Sequence, residues 1–355
     1  MFKEVDIKNF RGIRDCHLGD LKQINLFFGK NNCGKSSVLE AIFLLSGYSN
    51  PLLPLNINFW RDYTKRDYKD ILLDFYQLKR ENTIEISAKA ENEERFMSIT
   101  TFESNSKTVD IDQITETTNN INESSYGFSI KFGPKKEKPF QAQLIFGAEN
   151  DRTQMTPKKV KVKQDNRYKE QLVSKILLPR YQLDNSITEL KDIIADKKEN
   201  LIIEVLRNID SRVKDIVLID DTIMVDIGLE SRVPVNMMGD GMRKILAILV
   251  SIIKCENGIL FIDEIDNGLH YTSMQTLWAS VIRSAKTFNV QLFISTHNID
   301  SLKALQQIFE KEEFKTEQQN MAAFKLIRMQ NDELKSVAYD FTKFEYAIHQ
   351  EIEMR

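Results

Sequence analysis

The chain has 355 residues and a mass of 41.3 kDa, more than twice the roughly 100–150 residues typical of one domain. Hydrophobic residues make up 42% and charged residues 28%, which excludes wholesale disorder and fibrous structure. A net charge of −3 argues against nucleic-acid binding over the whole surface. Cys16, Cys33 and Cys255 are too dispersed for a disulfide framework or a zinc site. The longest largely apolar run, Ile245 to Ile253, falls well short of the roughly 20 residues that span a bilayer. The N-terminus, Met1 to Asp6, carries acidic residues and no signal-peptide apolar core. The expectation is a soluble, cytoplasmic protein with no membrane partner.

Val5 to Phe10 alternates apolar and polar residues as a half-buried strand does, and Gly12 breaks it. A second strand, Ile24 to Phe28, runs directly into Gly29-Lys30-Asn31-Asn32-Cys33-Gly34-Lys35-Ser36. Val38, Leu39, Ile42 and Leu45 then recur at helical spacing, so the order is strand, glycine loop, helix. Thr83 to Ala90 and Arg95 to Phe102 read as a hairpin, and the polar stretch 103–125 as a long loop. Between residues 186 and 212, apolar side chains among charges predict an amphipathic helix that protrudes as an arm or hairpin. A helix is expected from Gly239 through Ile253. The apolar strand Ile259 to Ile262 follows, ending at Asp263-Glu264, and then a helix over Ser273 to Lys286. The strand Gln291 to Ser295 leads to Thr296-His297, and Phe324 to Met329 with Leu334 to Ala338 form a closing hairpin. Fully apolar strands separated by helices indicate a parallel sheet in an α/β fold.

Residues 29–36 match GxxxxGK[ST] in full, in the strand–loop–helix context that gives the pattern meaning. The glycines let backbone N–H groups curl round terminal phosphates, and the helix N-terminus adds partial positive charge. Lys35 reaches those phosphates, and the Ser36 hydroxyl suits a Mg²⁺ ion. Asp263, at the end of a buried strand, is the second expected metal-side residue. Glu264, one residue on, is placed to polarise an attacking water. Lys35 and Asp263 lie 228 residues apart, too far for a compact small GTPase or nucleotide kinase. A large insertion must separate two halves of one sheet.

The stretches Ile7-Lys8-Asn9-Phe10-Arg11-Gly12, Gly29 to Ser36, Met238-Gly239-Asp240-Gly241, Ile262 to His270 and Ser295-Thr296-His297-Asn298 together resemble the RecF/SMC/OLD-like branch of ABC ATPases. These are proteins with an AAA_15 or AAA_21 type domain. The resemblance covers residues 1–50 and 230–350. It implies an α/β ABC-ATPase head: a P-loop NTPase with an N-terminal β-rich lobe (1–150), an insertion with a basic strand and a helical arm (151–230), and a C-terminal lobe (231–355). It implies Mg²⁺-dependent ATP hydrolysis coupled to a homodimer with two ATPs at the interface. One chain would bind nucleotide through Gly29, Lys30, Asn31, Asn32, Cys33, Gly34, Lys35, Ser36 and Ser37. The other would cap it with Gly239, Asp240 and Gly241. By the same resemblance Asn267, Gly268 and His270 belong to the loop that crosses the interface, and His297 contacts the γ-phosphate. With Lys35 and Glu264, His297 completes the expected catalytic set; Ser36 and Asp263 are the metal ligands. Asp240 departs from the usual Leu-Ser-Gly-Gly signature and places a negative charge near phosphate; a plain helix cap competes with the signature reading.

Family members with longer chains append a Toprim nuclease, for which the 58 residues after His297 leave no room. The expected role is therefore a switch for a separate effector in anti-phage defence or DNA repair. A DNA-binding repair clamp and a nucleotide-binding module with little turnover are the alternatives. Arg11 reads equally as a nucleotide neighbour or a surface arginine, and Gln77 is the candidate Q-loop glutamine by order along the chain. Between Lys131 and Lys169 there are eleven Lys/Arg and four Asp/Glu. Lys159, Lys161 and Lys163 alternate on one face of a strand. A nucleic-acid contact is one reading; lysines protecting an edge strand are the favoured one.

Overall fold

The computed structural model describes residues 1–61, 72–91, 93–105, 124–147, 160–165, 167–179, 187–220 and 222–350. Most of the predicted polar loop, 106–123, lies outside them, as does Lys159. In chain order the first part carries β1 (Phe2–Phe10), β2 (Ile13–Leu18), β3 (Ile24–Phe28), α1 (Lys35–Ser46), α2 (Leu53–Trp60), β4 (Ile84–Ala90), β5 (Glu94–Asn105), β6 (Ser124–Pro134), β7 (Phe140–Gly147) and β8 (Val160–Gln164). The second carries β9 (Ser174–Leu177), α3 (Ile187–Ala195), α4 (Asn200–Ile209), β10 (Asp215–Ile219), β11 (Thr222–Asp226), β12 (Val233–Pro234) and α5 (Asp240–Lys254). It continues with β13 (Ile259–Ile262), α6 (Met274–Thr287), β14 (Gln291–Ser295), α7 (Ile299–Glu310), β15 (Met321–Arg328), β16 (Leu334–Tyr339) and α8 (Phe341–His349).

A seven-stranded antiparallel sheet runs β2-β1-β4-β5-β6-β7-β8, and a six-stranded sheet runs β16-β15-β3-β14-β13-β9. In the second, β15, β3, β14, β13 and β9 are mutually parallel and β16 closes the edge antiparallel. The two-residue period of a strand divides its side chains between two cores. Ile24, Leu26 and Phe28 face one core with the helices α3 to α8. Phe27, Phe261 and Phe293 face the other, where α1 is sandwiched between the two sheets. Phe27 stacks on Phe293 at 6.3 Å and Phe261 on Phe293 at 5.2 Å. Because α1 has neighbours on both sides, even Glu40 on it is fully buried.

The arm predicted over 186–212 is corrected. Two short helices, α3 and α4, stand there, separated by a turn in which Lys197 takes a φ of 57°. They do not protrude. Leu190, Ile193, Ile202 and Leu206 are buried in the same core as α5, so the apolar face read as an exposed arm packs against a neighbouring helix. Strand β8 is an edge strand of the antiparallel sheet among the described residues, with Lys161 and Lys163 exposed on it. A lysine-bearing edge is the arrangement that discourages pairing with another chain. No helix among the described residues is long and apolar enough to cross a membrane.

Candidate functional site

The parallel strands deliver the chemistry-bearing residues to one edge of the sheet, because β3, β13 and β14 all end on the same side. β3 leads into the phosphate loop, β13 into Asp263-Glu264, and β14 into Thr296-His297. The loop turns on two left-handed glycines, Gly29 at φ 140° and Gly34 at φ 113°, and Gly34 caps α1. Lys30, Asn31 and Asn32 are exposed, while Cys33 is buried beneath them with its thiol against Gly29. The Lys35 ammonium folds back over the loop, donating to the carbonyls of Gly29 at 2.9 Å and Lys30 at 3.0 Å. That holds a cation against the loop.

The two distant segments meet at Ser36, whose hydroxyl donates to Asp263 Oδ1 at 3.0 Å. Ser295 Oγ donates to the same carboxylate oxygen at 2.5 Å and accepts from the Glu264 N–H at 2.8 Å. Ser36 and Asp263 offer hard oxygen donors side by side, a set that fits Mg²⁺. Glu264 has φ 52°, an uncommon conformation for this residue type. Both of its backbone groups are tied: its N–H to Ser295, and its carbonyl to the Lys244 ammonium at 2.9 Å. Lys244 also donates to the carbonyl of Asn267 at 2.6 Å. Burial lowers the Lys244 pKa to about 8, against the opposing pull of Asp266, Glu264 and Asp263.

A cleft of about 470 Å³ is lined by Ser36, Asp263, Glu264, Arg61 and Trp60. A second, of about 520 Å³, is lined by Gly29, Lys30, Asn31 and His297. His297 Nδ1 lies 3.8 Å from Glu264 Oε1, so the histidine belongs to both neighbourhoods. Asp266 is buried and accepts from Thr296 Oγ1 at 2.6 Å, which joins the ends of β13 and β14.

Gly239 and Gly268 form a separate exposed surface. Each has positive φ, a Cβ on either would meet nothing within 4 Å among the described residues, and Asp240 opens α5. Gly241 packs near Leu269, and Asn267 and His270 are exposed, with the His270 ring tilted against Tyr271 at 4.3 Å. These residues line neither cleft.

The surface reading of Arg11 is corrected. Its side chain is only 14% exposed, and its guanidinium pairs with Glu40, with Asp74 at 3.1 Å and with Asn58 Oδ1 at 2.8 Å. Glu40 is shared with Arg61, which reaches from the end of α2 to the first cleft. Burial pushes the Glu40 and Asp74 carboxyls upward while the arginines oppose it. Gln77 is exposed and donates to Tyr76 Oη at 3.0 Å, and it lines neither cleft. Sequence reasoning overlooked Ser295 and Lys244, although both stand inside stretches already singled out. Arg61 has no local signal, since only the fold brings it to Glu40.

Residues 24–302 match the family described as "AAA domain, putative AbiEii toxin, Type IV TA system" (AAA_21). The chain is 24% identical over 348 residues to an ATP/GTP phosphatase of Helicobacter pylori, covering 88% of this chain and 90% of that protein. A shorter stretch of 66 residues is 30% identical to the DNA replication and repair protein RecF of Bacteroides thetaiotaomicron, 18% of each chain. In fold it is similar to an SMC head solved bound to the C-terminal winged-helix domain of ScpA. The TM-score is 0.50 at 10% identity, over 96% of this chain and 97% of that one.

Proposed function

The chain belongs to the AAA_21 family, within the RecF/SMC-like branch of ABC-type ATPases, and from that premise we propose that it hydrolyses ATP with Mg²⁺ and pairs with a second copy as it does so. The observation that carries the reading is the Ser36–Asp263 hydrogen bond of 3.0 Å, which joins residues 227 positions apart into one oxygen-lined site beside the phosphate loop. Ser36 and Asp263 would hold Mg²⁺, which supplies charge neutralisation at the terminal phosphates. The N–H groups of residues 29–36 receive those phosphates, and Lys35 exchanges the carbonyls of Gly29 and Lys30 for phosphate oxygens. Glu264 orients the attacking water and accepts its proton. His297, at the rim of the neighbouring cleft, contacts the γ-phosphate.

Pairing is supported by the exposed glycines Gly239 and Gly268, where a Cβ would meet nothing within 4 Å among the described residues, and by the start of α5 at Asp240, since first-turn N–H groups of a helix lack intrahelical acceptors. In this reading the cap for one chain's nucleotide comes from the other, and the cycle of closure and release is the switch that acts on an effector in defence or repair. Light scattering of Glu264→Gln with and without ATP tests it. The expected result is a doubled mass with ATP and a monomer without it, whereas bound ATP with an unchanged mass refutes pairing. Lys35→Ala serves as the control that takes up no nucleotide. Phosphate release by the native chain excludes a module that holds nucleotide without turning it over.

A further inference from the structure

Strand β15 is parallel to β3, with Lys325 opposite Phe28, so β15 ends at Arg328 on the same side of the sheet as the phosphate loop. The strands that carry Asp263, Glu264 and His297 lie on the opposite flank of β3. The loop therefore has acidic residues and a histidine on one side and an arginine on the other. Arg328 is exposed, and among the described residues its side chain has no hydrogen-bond or ion-pair partner. Its guanidinium fork points end-on at Gly12, where a Cβ would lie 2.7 Å and 3.0 Å from the two terminal nitrogens. A Cβ on Gly34, the turning glycine of the loop, would be 3.8 Å from the nearer nitrogen. Gly12 thus makes room for a donor-only fork beside the phosphate loop. The neighbouring charges are already engaged, Arg14 with Glu333 at 3.8 Å and Asp332 with the Tyr76 hydroxyl at 2.9 Å.

We propose that Arg328 binds the α-phosphate of the nucleotide whose terminal phosphates sit on residues 29–36. The inference rests on the nucleotide-binding reading above and deepens it. A triphosphate with its γ end toward Glu264 and His297 runs across the loop, so its nucleoside end emerges on the β15 flank. A guanidinium fork matches two oxygens of one phosphate, a group that ATP and GTP share. Arg328 is accordingly an affinity determinant indifferent to the base.

Isothermal titration of the native chain, Arg328→Ala, Gly12→Ala and the double variant with ATP, GTP and Mg²⁺-pyrophosphate tests this. Pyrophosphate occupies the terminal positions and has no α-phosphate. Arg328→Ala is expected to weaken ATP and GTP by the same factor of about ten, leaving pyrophosphate within about twofold. Gly12→Ala, whose methyl displaces the fork, is expected to reproduce that loss, and the double variant to be no worse than either single one. Thermal melting confirms that each variant is folded; Arg328 is exposed, so its truncation removes no core contact. An unchanged ATP affinity, an equal loss for pyrophosphate, or a loss confined to one of ATP and GTP overturns the assignment. Failure of the native chain to bind ATP at all instead refutes the underlying reading.

Discussion

Replacing Arg11 with Ala removes the guanidinium from the buried knot that ties the β1–β2 turn to α1 and α2. Glu40, with a side chain 1% exposed, keeps Arg61; Asp74, 3% exposed, keeps the Asn58 amide at 3.0 Å as its side-chain hydrogen-bond partner among the described residues. Breaking a buried pair by removing one partner costs about 3–5 kcal/mol. The surviving Arg61 contact places this case near the lower end, about 3 kcal/mol. With an m-value of about 3 kcal/mol/M, the urea midpoint falls by about 1 M.

The pH dependence has a definite sign. Burial raises both carboxyl pKa values and Arg11 opposes the rise, so its loss raises them further. A carboxyl with a higher pKa folded than unfolded binds more protons in the folded state, and its stability contribution falls as pH rises through the folded value. The deficit of the variant is therefore larger at about pH 8 than at about pH 5.5. Urea unfolding of both proteins at the two pH values, followed by circular dichroism, measures it. A midpoint shift below about 0.3 M, or a deficit that grows on acidification, refutes the reasoning.

Lys244→Met removes the ammonium that holds the carbonyls of Glu264 and Asn267. Because the folded pKa of Lys244 is lowered to about 8, the unfolded chain binds a proton that the folded chain has released between that value and the ordinary lysine range. The native protein is expected to gain stability relative to the variant as pH rises through that window, and paired urea midpoints report it. Gly29→Ala forces a side chain into φ 140° and brings its Cβ within 2.7 Å of the Leu326 carbonyl oxygen, so the phosphate loop must shift. A loss of ATP affinity of at least tenfold by titration is the expected outcome, with the rest of the fold retained by circular dichroism.

The phosphate loop and the Asp263-Glu264 pair were legible because each is a contiguous stretch whose spacing is itself the geometry. The strands Ile24–Phe28, Ile259–Ile262 and Gln291–Ser295 were read to the residue, since a short, mostly apolar run between turn residues has few other uses. The same periodicity misled over 186–212. An apolar helical face shows that something covers it, and α5, which does, comes later in the chain.

Local sequence alone determined the strand–glycine loop–helix, the acidic pair at a strand end, and the alternation of strands and helices that builds a parallel sheet. Tertiary structure decided which cation serves which acceptor: Lys244 on the carbonyl of Glu264, Arg11 and Arg61 on Glu40, and Arg328 beside Gly12. The reason is physical. A backbone turn or a buried strand is encoded by neighbouring residues, whereas a long flexible cation among 49 lysines and arginines acquires its partner only when folding brings distant segments within hydrogen-bonding reach.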